Sequence, residues 1–298
     1  MHLAMVLYDL LAAPFLEFGF MRRALAACLA LSLGCGPVGV MLVLRRMSLM
    51  GDAMSHAVLP GAAVGFLAAG LSLWAMSIGG MIAGLAVALL AGMVSRATPL
   101  REDASFAAFY LISLAGGVLI VSLRGSNIDL MHVLFGTILA VDDAGLLLVA
   151  GIATVTLLTL ALLYRPLVVE SFDPGFLRAV GGPRGTLGAL SHLVFLVLVV
   201  LNLVGGFQAL GTLMAVGLMM LPAATARFWA ERMPTLALTA MAVAFASGFG
   251  GLLLSFHFNL PSGPAIVLVA GGAYLLSLAL GPVGSLRLRW FPGRHLAA

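Results

Sequence analysis

Arg45-Arg46-Met47-Ser48-Leu49-Met50-Gly51-Asp52-Ala53-Met54-Ser55-His56-Ala57-Val58-Leu59-Pro60-Gly61 lies between two long apolar segments and holds the only Asp and His that can stand together at membrane depth. If residues 51–58 are helical, Asp52 and His56 are related by i,i+4, so a carboxylate and an imidazole stack on one face about 6 Å apart. Asp supplies a hard oxygen and neutral His a borderline nitrogen, a donor pair suited to Zn²⁺, Mn²⁺ or Fe²⁺. Two donors alone hold an ion weakly, which fits a site that must also release it, and a symmetric second copy could complete the shell. A plainer reading stays open beside this one: Asp52 caps a helix beginning at Ala53, and His56 sits at its wet end.

The surrounding chain makes membrane depth the right frame. Of 298 residues, 62% are hydrophobic and 9% charged, and the mean hydropathy is +1.17; an ordinary soluble domain has about 25% charged residues. The expected fold is therefore all-α, a polytopic membrane protein. Its net charge of +4 rests on Arg alone, with no Lys in the chain. The Arg residues are grouped in short inter-helix segments rather than along one continuous basic face, which argues against a nucleic-acid partner. Cys28 and Cys35 are two helical turns apart, too far for a disulfide, and read as core packing.

Apolar runs long enough to span fall at about 24–44, 54–73, 74–95, 104–123, 143–164, 187–206, 209–228, 235–256 and 262–283, so about nine spans are expected, within a range of eight to ten. The chain reads as a single transmembrane domain over 1–298. Residues 1–23 form an interfacial N-terminal segment, because Asp9 and Glu17 interrupt any signal-peptide core. Residues 127–141 are apolar but short, broken by Gly136 and flanked by Asp129 and Asp142-Asp143, which suggests a re-entrant element. With that element not spanning, Arg45, Arg46, Arg96, Arg101, Arg165, Arg178, Arg184, Arg227, Arg232, Arg287, Arg289 and Arg294 share one side, leaving Arg22, Arg23 and Arg124 opposite. The positive-inside rule then makes the C-terminus cytoplasmic and the N-terminus external. Gly205-Gly206 and Gly248 with Gly250-Gly251 are the places where spans could break.

The longest segment on the Arg-rich side is 165–186. Within it Asp173 is an N-cap candidate, Pro174 takes N1, Phe176, Leu177 and Val180 form an apolar side, and Gly181-Gly182-Pro183 ends the helix. Residues 170–183 thus read as a short amphipathic helix in water, with apolar residues that want a partner groove. An ordinary interfacial loop is the alternative.

The stretch from Arg45 to Gly61 closely resembles the signature of the metal-ion permease family of ATP-binding-cassette (ABC) importers. Leu134-Phe135-Gly136-Thr137-Ile138-Leu139, Ser171-Phe172-Asp173-Pro174 with Ala179-Val180-Gly181, and Gln208-Ala209-Leu210-Gly211-Thr212-Leu213-Met214 running on to Leu221-Pro222-Ala223-Ala224-Thr225-Ala226-Arg227 resemble the same family in the same order. The resemblance implies an inner-membrane permease subunit for zinc, manganese or iron, with the ion as cargo and no permanently bound cofactor. It places Asp52 and His56 in the metal path. It also implies a homodimer, two copies of an ATP-binding subunit, and an extracytoplasmic metal-binding protein that delivers the ion. Residues 170–183 become the cytoplasmic coupling helix, with Ser171, Phe172, Asp173, Pro174, Phe176, Leu177, Val180 and Gly181 meeting the ATPase.

Secondary candidates are His132, three residues after Asp129, where the two could receive an ion at the outer mouth; Asp142 and Asp143 could draw cations or simply flank a span. His192 and His257 read as hydrogen-bonded or interfacial, and Asn202 as an interhelical hydrogen-bond former. Without Lys the G-x-x-x-x-G-K-[ST] phosphate loop is impossible, so ATP must be hydrolysed by another polypeptide. No catalytic constellation is present, and an enzyme is not expected. The competing reading is an ion-gradient-driven secondary carrier acting alone, which would usually carry inverted repeats; none is evident.

Overall fold

The structure, a computed structural model, describes residues 8, 10–70, 72–100, 102–123, 138–173, 175–177 and 186–287. Every element of length among them is helical. A short α1 (Ala13–Glu17) leads into α2 (Gly19–Leu44), α3 (Ser48–Ala69), α4 (Leu73–Ala97) and α5 (Glu102–Leu123). A 3-10 turn (Ile138–Ala140) precedes α6 (Asp143–Leu162), α7 (Tyr164–Phe172), α8 (Thr186–Leu210), α9 (Thr212–Ala226), α10 (Met233–Phe258) and α11 (Ser262–Leu280). Eight of these are long and apolar enough to cross a membrane: α2 to α6, α8, α10 and α11. The 15-residue α9 is a shorter ninth apolar helix, about 22 Å long against a hydrocarbon core of about 30 Å. Asp129, His132, Pro174, Val180 and Gly181, with most of the expected re-entrant element and the far half of the 170–183 helix, lie outside the described residues.

Two groups of helices share α8 between them. On one side α3 packs against α4 and α5; on the other α2 packs against α6, α9 and α10, with α11 behind. Of the spans, α2 is the most enclosed. Lipid tails are as apolar as the side chains, so helix association here depends on close packing and interhelical hydrogen bonds rather than on burial from water. The glycines supply the close packing. A Cβ on Gly61 would run into the Gly79 carbonyl, and one on Gly79 into the Gly61 carbonyl, so α3 and α4 meet backbone to backbone; Gly65 and Ala75 repeat the contact a turn further on. Gly39 of α2 lies in the same way against the Met219 carbonyl of α9. The hydrogen bond is supplied by Asn202 of α8, whose Nδ2 donates to Thr156 Oγ1 of α6 at 2.9 Å and to the Leu198 carbonyl at 2.9 Å.

Helix α2 begins at Gly19, inside the segment expected at the interface, and three further boundaries differ from expectation. Helix α8 runs unbroken through Gly205-Gly206 and α10 through Gly248, Gly250 and Gly251. Several of these are contact points rather than breaks: Gly205 faces Ile152, Gly206 faces Ala215, Gly248 faces Cys28 and Gly251 faces Ile266. The reversal falls instead at Gly211, alone between α8 and α9 with φ 84°, a conformation that glycine adopts without a Cβ penalty. The third difference is the start of α3. It begins at Ser48, about six residues before the expected span, with Met47 as an N-cap that makes no side-chain bond. Helix α3 then continues through Pro60, which has no N–H to offer the carbonyl of His56 one turn earlier.

Candidate metal site and coupling surface

Because α3 starts at Ser48, Asp52 is its fifth residue and His56 its ninth, roughly 6 and 12 Å along the helix. Asp52 is therefore not the N-cap, and the plainer reading of it fails on geometry. His56 Nε2 lies 3.8 Å from Asp52 Oδ1, too far for a hydrogen bond. The separation suits a shared ion: donors about 2.1 Å from one metal and 3.8 Å from each other subtend roughly 120–130°, open of tetrahedral by a small side-chain rotation. The His56 ring stacks on Tyr110 of α5, centroids 6.1 Å apart and planes 28° apart. The Asp52 side chain is 64% exposed and that of His56 34% exposed in the single chain. Their donor atoms thus face outward from α3, available to a path or to a second copy. Among the described residues, no three His, Cys, Asp or Glu side chains of one chain gather closely enough to hold an ion.

Beside the pair is a cavity of about 190 Å³ lined by Leu49, Met50, Asp52, Ala53, Asp103, Phe106, Ala107 and Tyr110. Asp103, one residue into α5, therefore shares a cavity with Asp52, which the sequence reading did not anticipate. The available signal was weak: Arg101-Glu102-Asp103 reads as a solvated helix start, and only the packing of α5 on α3 brings Asp103 to the same cavity as Asp52.

At the α2–α3 end of the molecule, α7 extends the structure beyond α6 and carries Ser171 and Phe172, so the segment expected as one helix over 170–183 is instead divided at Asp173. Asp173 closes α7 as its C-cap and also starts the next turn, its Oδ1 accepting from the Phe176 N–H at 2.8 Å. That is the N-cap role expected of it. Phe172 is 62% exposed and Phe176 56% exposed, whereas Ser171 and Leu177 are turned inward and buried. An outward-facing surface is thus formed by Phe172, Asp173 and Phe176. Ser171 belongs to the interior, where its hydroxyl accepts from Arg45 Nε at 3.0 Å and donates to the Leu167 carbonyl at 2.7 Å.

The remaining polar candidates have structural partners. Asp142 is the N-cap of α6, accepting from the Gly145 N–H at 2.8 Å, and Asp143 lies 3.9 Å from Arg23. His257 is 3.0 Å from the Leu10 carbonyl, tying α10 to the N-terminal segment. His192 meets Arg45 and Glu170. Cys28 and Cys35 are buried and unbridged.

The family described as the ABC 3 transport family matches residues 17–281. The chain is 34% identical over 281 residues to the manganese transport system membrane protein MntC of Halalkalibacterium halodurans, covering 94% of each. It is 33% identical over 266 residues to the manganese import system permease protein ScaB of Streptococcus parasanguinis, covering 89% of this chain and 92% of that protein. Its structure superposes on a chain of PsaBC from Streptococcus pneumoniae, solved in complex with a Fab, with a TM-score of 0.79 and 32% identity, covering 90% of this chain and 94% of that one.

Proposed function

The chain belongs to the ABC 3 transport family, and from that premise we propose that it is the permease subunit of an ABC importer that carries Mn²⁺ across the cytoplasmic membrane. The observation that carries the choice of ion is near full-length similarity to two permeases named for manganese, joined to a donor pair, Asp52 and His56, whose oxygen and nitrogen suit that ion. Zn²⁺ and Fe²⁺ are the other ions this donor pair can hold.

Two copies meet around a central path with the Asp52/His56 pairs facing it, so that four donors from two chains replace part of the ion's water shell. Asp52 offsets the ion's charge where a bare dication in hydrocarbon would be prohibitively costly. His56 adds a neutral ring nitrogen, a donor suited to a transition-metal dication. Because each chain offers two donors, the ion is held briefly and can leave. An extracytoplasmic metal-binding protein delivers it at the outer mouth. Two ATP-binding subunits dock on Phe172, Asp173 and Phe176, and their closure drives alternating access; no chemistry occurs on this chain. The Arg distribution supports a cytoplasmic C-terminus.

The test is uptake of Mn²⁺, Zn²⁺ and Fe²⁺ by cells lacking their own importers and expressing the chain with its ATPase and binding protein. ATP-dependent accumulation with Mn²⁺ preferred is expected. Preference for another ion would replace manganese, and accumulation driven by a proton or sodium gradient without the ATPase would replace the importer with a secondary carrier.

A further inference from the structure

The turn that launches the metal helix is gripped by a polar cluster the proposed mechanism does not use. Arg45, the C-cap of α2, sends Nε to Ser171 Oγ of α7 at 3.0 Å and sets Nη1 3.3 Å from His192 Nδ1 of α8. Its guanidinium lies over the ring of Phe195, one turn further along α8, 3.9 Å from the centroid. His192 Nδ1 is in turn 4.0 Å from the carboxylate of Glu170, which neighbours Ser171 on α7 and is buried. A planar guanidinium thus joins three elements at once, in a geometry that a lysine ammonium cannot reproduce.

The connection from Arg45 to the metal ligands is short and stiff. Arg46 is held at φ 58°, an uncommon value for a residue with a Cβ. The turn is closed by backbone bonds from Arg45 to Met41, Arg46 to Val43, Met47 to Leu42 and Met50 to Met47. Met50, on the first turn of α3, is fully buried. Such a turn has little slack, and what displaces Arg45 displaces the start of α3.

We propose that Arg45 is the positioning residue that passes movement of α7, reached from Phe172 and Phe176, through its grip on Ser171 and His192 into the turn that carries Asp52 and His56. This rests on the docking of an ATP-binding subunit proposed above. The outward Phe172 and the inward Ser171 are consecutive residues, so a partner pressing on the first moves the second. The contact is discrete, a fork on a hydroxyl and a ring, as a two-state coupling element requires.

The experiment reconstitutes the permease with its ATPase and binding protein in liposomes and reads Mn²⁺ uptake and phosphate release together. Arg45→Gln is expected to leave assembly intact and ATP hydrolysis within about twofold of the parent, while Mn²⁺ moved per ATP falls about tenfold. Arg45→Lys should show the same loss, because charge without the fork does not grip both partners. Ser171→Ala, a smaller change, should lower the ratio by about two- to fivefold. An unchanged ratio overturns the proposal. So does a fall of uptake and hydrolysis in step, which marks a merely structural role. If Arg45→Gln fails to assemble, Ser171→Ala decides by the same ratio. Absence of ATP-dependent uptake by the parent complex would instead remove the importer reading, and this proposal with it.

Discussion

His56 Nε2 stands 3.8 Å from Asp52 Oδ1 on one face of α3, and the imidazole stacks against Tyr110 of α5. The two side chains are too far apart to hydrogen-bond each other. Asp52→Ala and His56→Ala are each expected to reduce Mn²⁺ uptake to background while the complex still co-purifies with its ATPase. Normal uptake by both variants would take the pair out of the path.

Asp103 lines the cavity beside Asp52. A second carboxylate lining that cavity is a candidate contributor to the field an incoming dication would meet there. Asp103→Asn, nearly the same shape without the charge, should raise the Mn²⁺ concentration giving half-maximal uptake several-fold with little change in ATP hydrolysis. An identical uptake curve would assign Asp103 to the helix end alone.

Phe176 and Phe172 are large apolar side chains that the single chain leaves exposed. Phe176→Glu places a charge on that surface and should separate ATP hydrolysis from transport or prevent the ATPase from co-purifying. The fold itself has no stake in a side chain this exposed, so thermal stability in detergent should stay the same. Tight assembly with normal coupling would point to a different docking surface.

Gly61 and Gly79 touch without side chains between them, whereas a Cβ on Gly92 of the same α4 would meet nothing within 4 Å. Gly61→Ala should destabilise by about 1–3 kcal/mol through forced separation of α3 and α4. Gly92→Ala should be neutral or slightly stabilising, since it removes backbone freedom at no steric cost. Thermal unfolding in detergent distinguishes the two, and equal behaviour would contradict the packing.

Some of this could be read from residue order and some could not. The spans were legible because lipid demands long apolar runs, and Asp52 with His56 because an i,i+4 pair needs only one helix. The start of α3 was not: Arg45, Arg46 and Asp52 lower the local hydropathy, and Met47 gives no capping signal. Glycine was ambiguous in the same way, since Gly205-Gly206 and Gly211 look alike until a neighbour makes the first a contact and a positive φ makes the last a reversal. Contacts across sequence were out of reach. Arg45 is 126 residues from Ser171 and 147 from His192, and nothing short of the packed helices puts them together.

Pro60 cannot supply the N–H of one rung of α3, the one that would reach back to the carbonyl of His56. A rod weakened at a single joint flexes at that joint. Below it, the helix is pinned through Arg45; above it, Gly61 is welded to the neighbouring α4. His56 therefore sits next to the weakened joint, between an end held through Arg45 and an end packed backbone to backbone on α4.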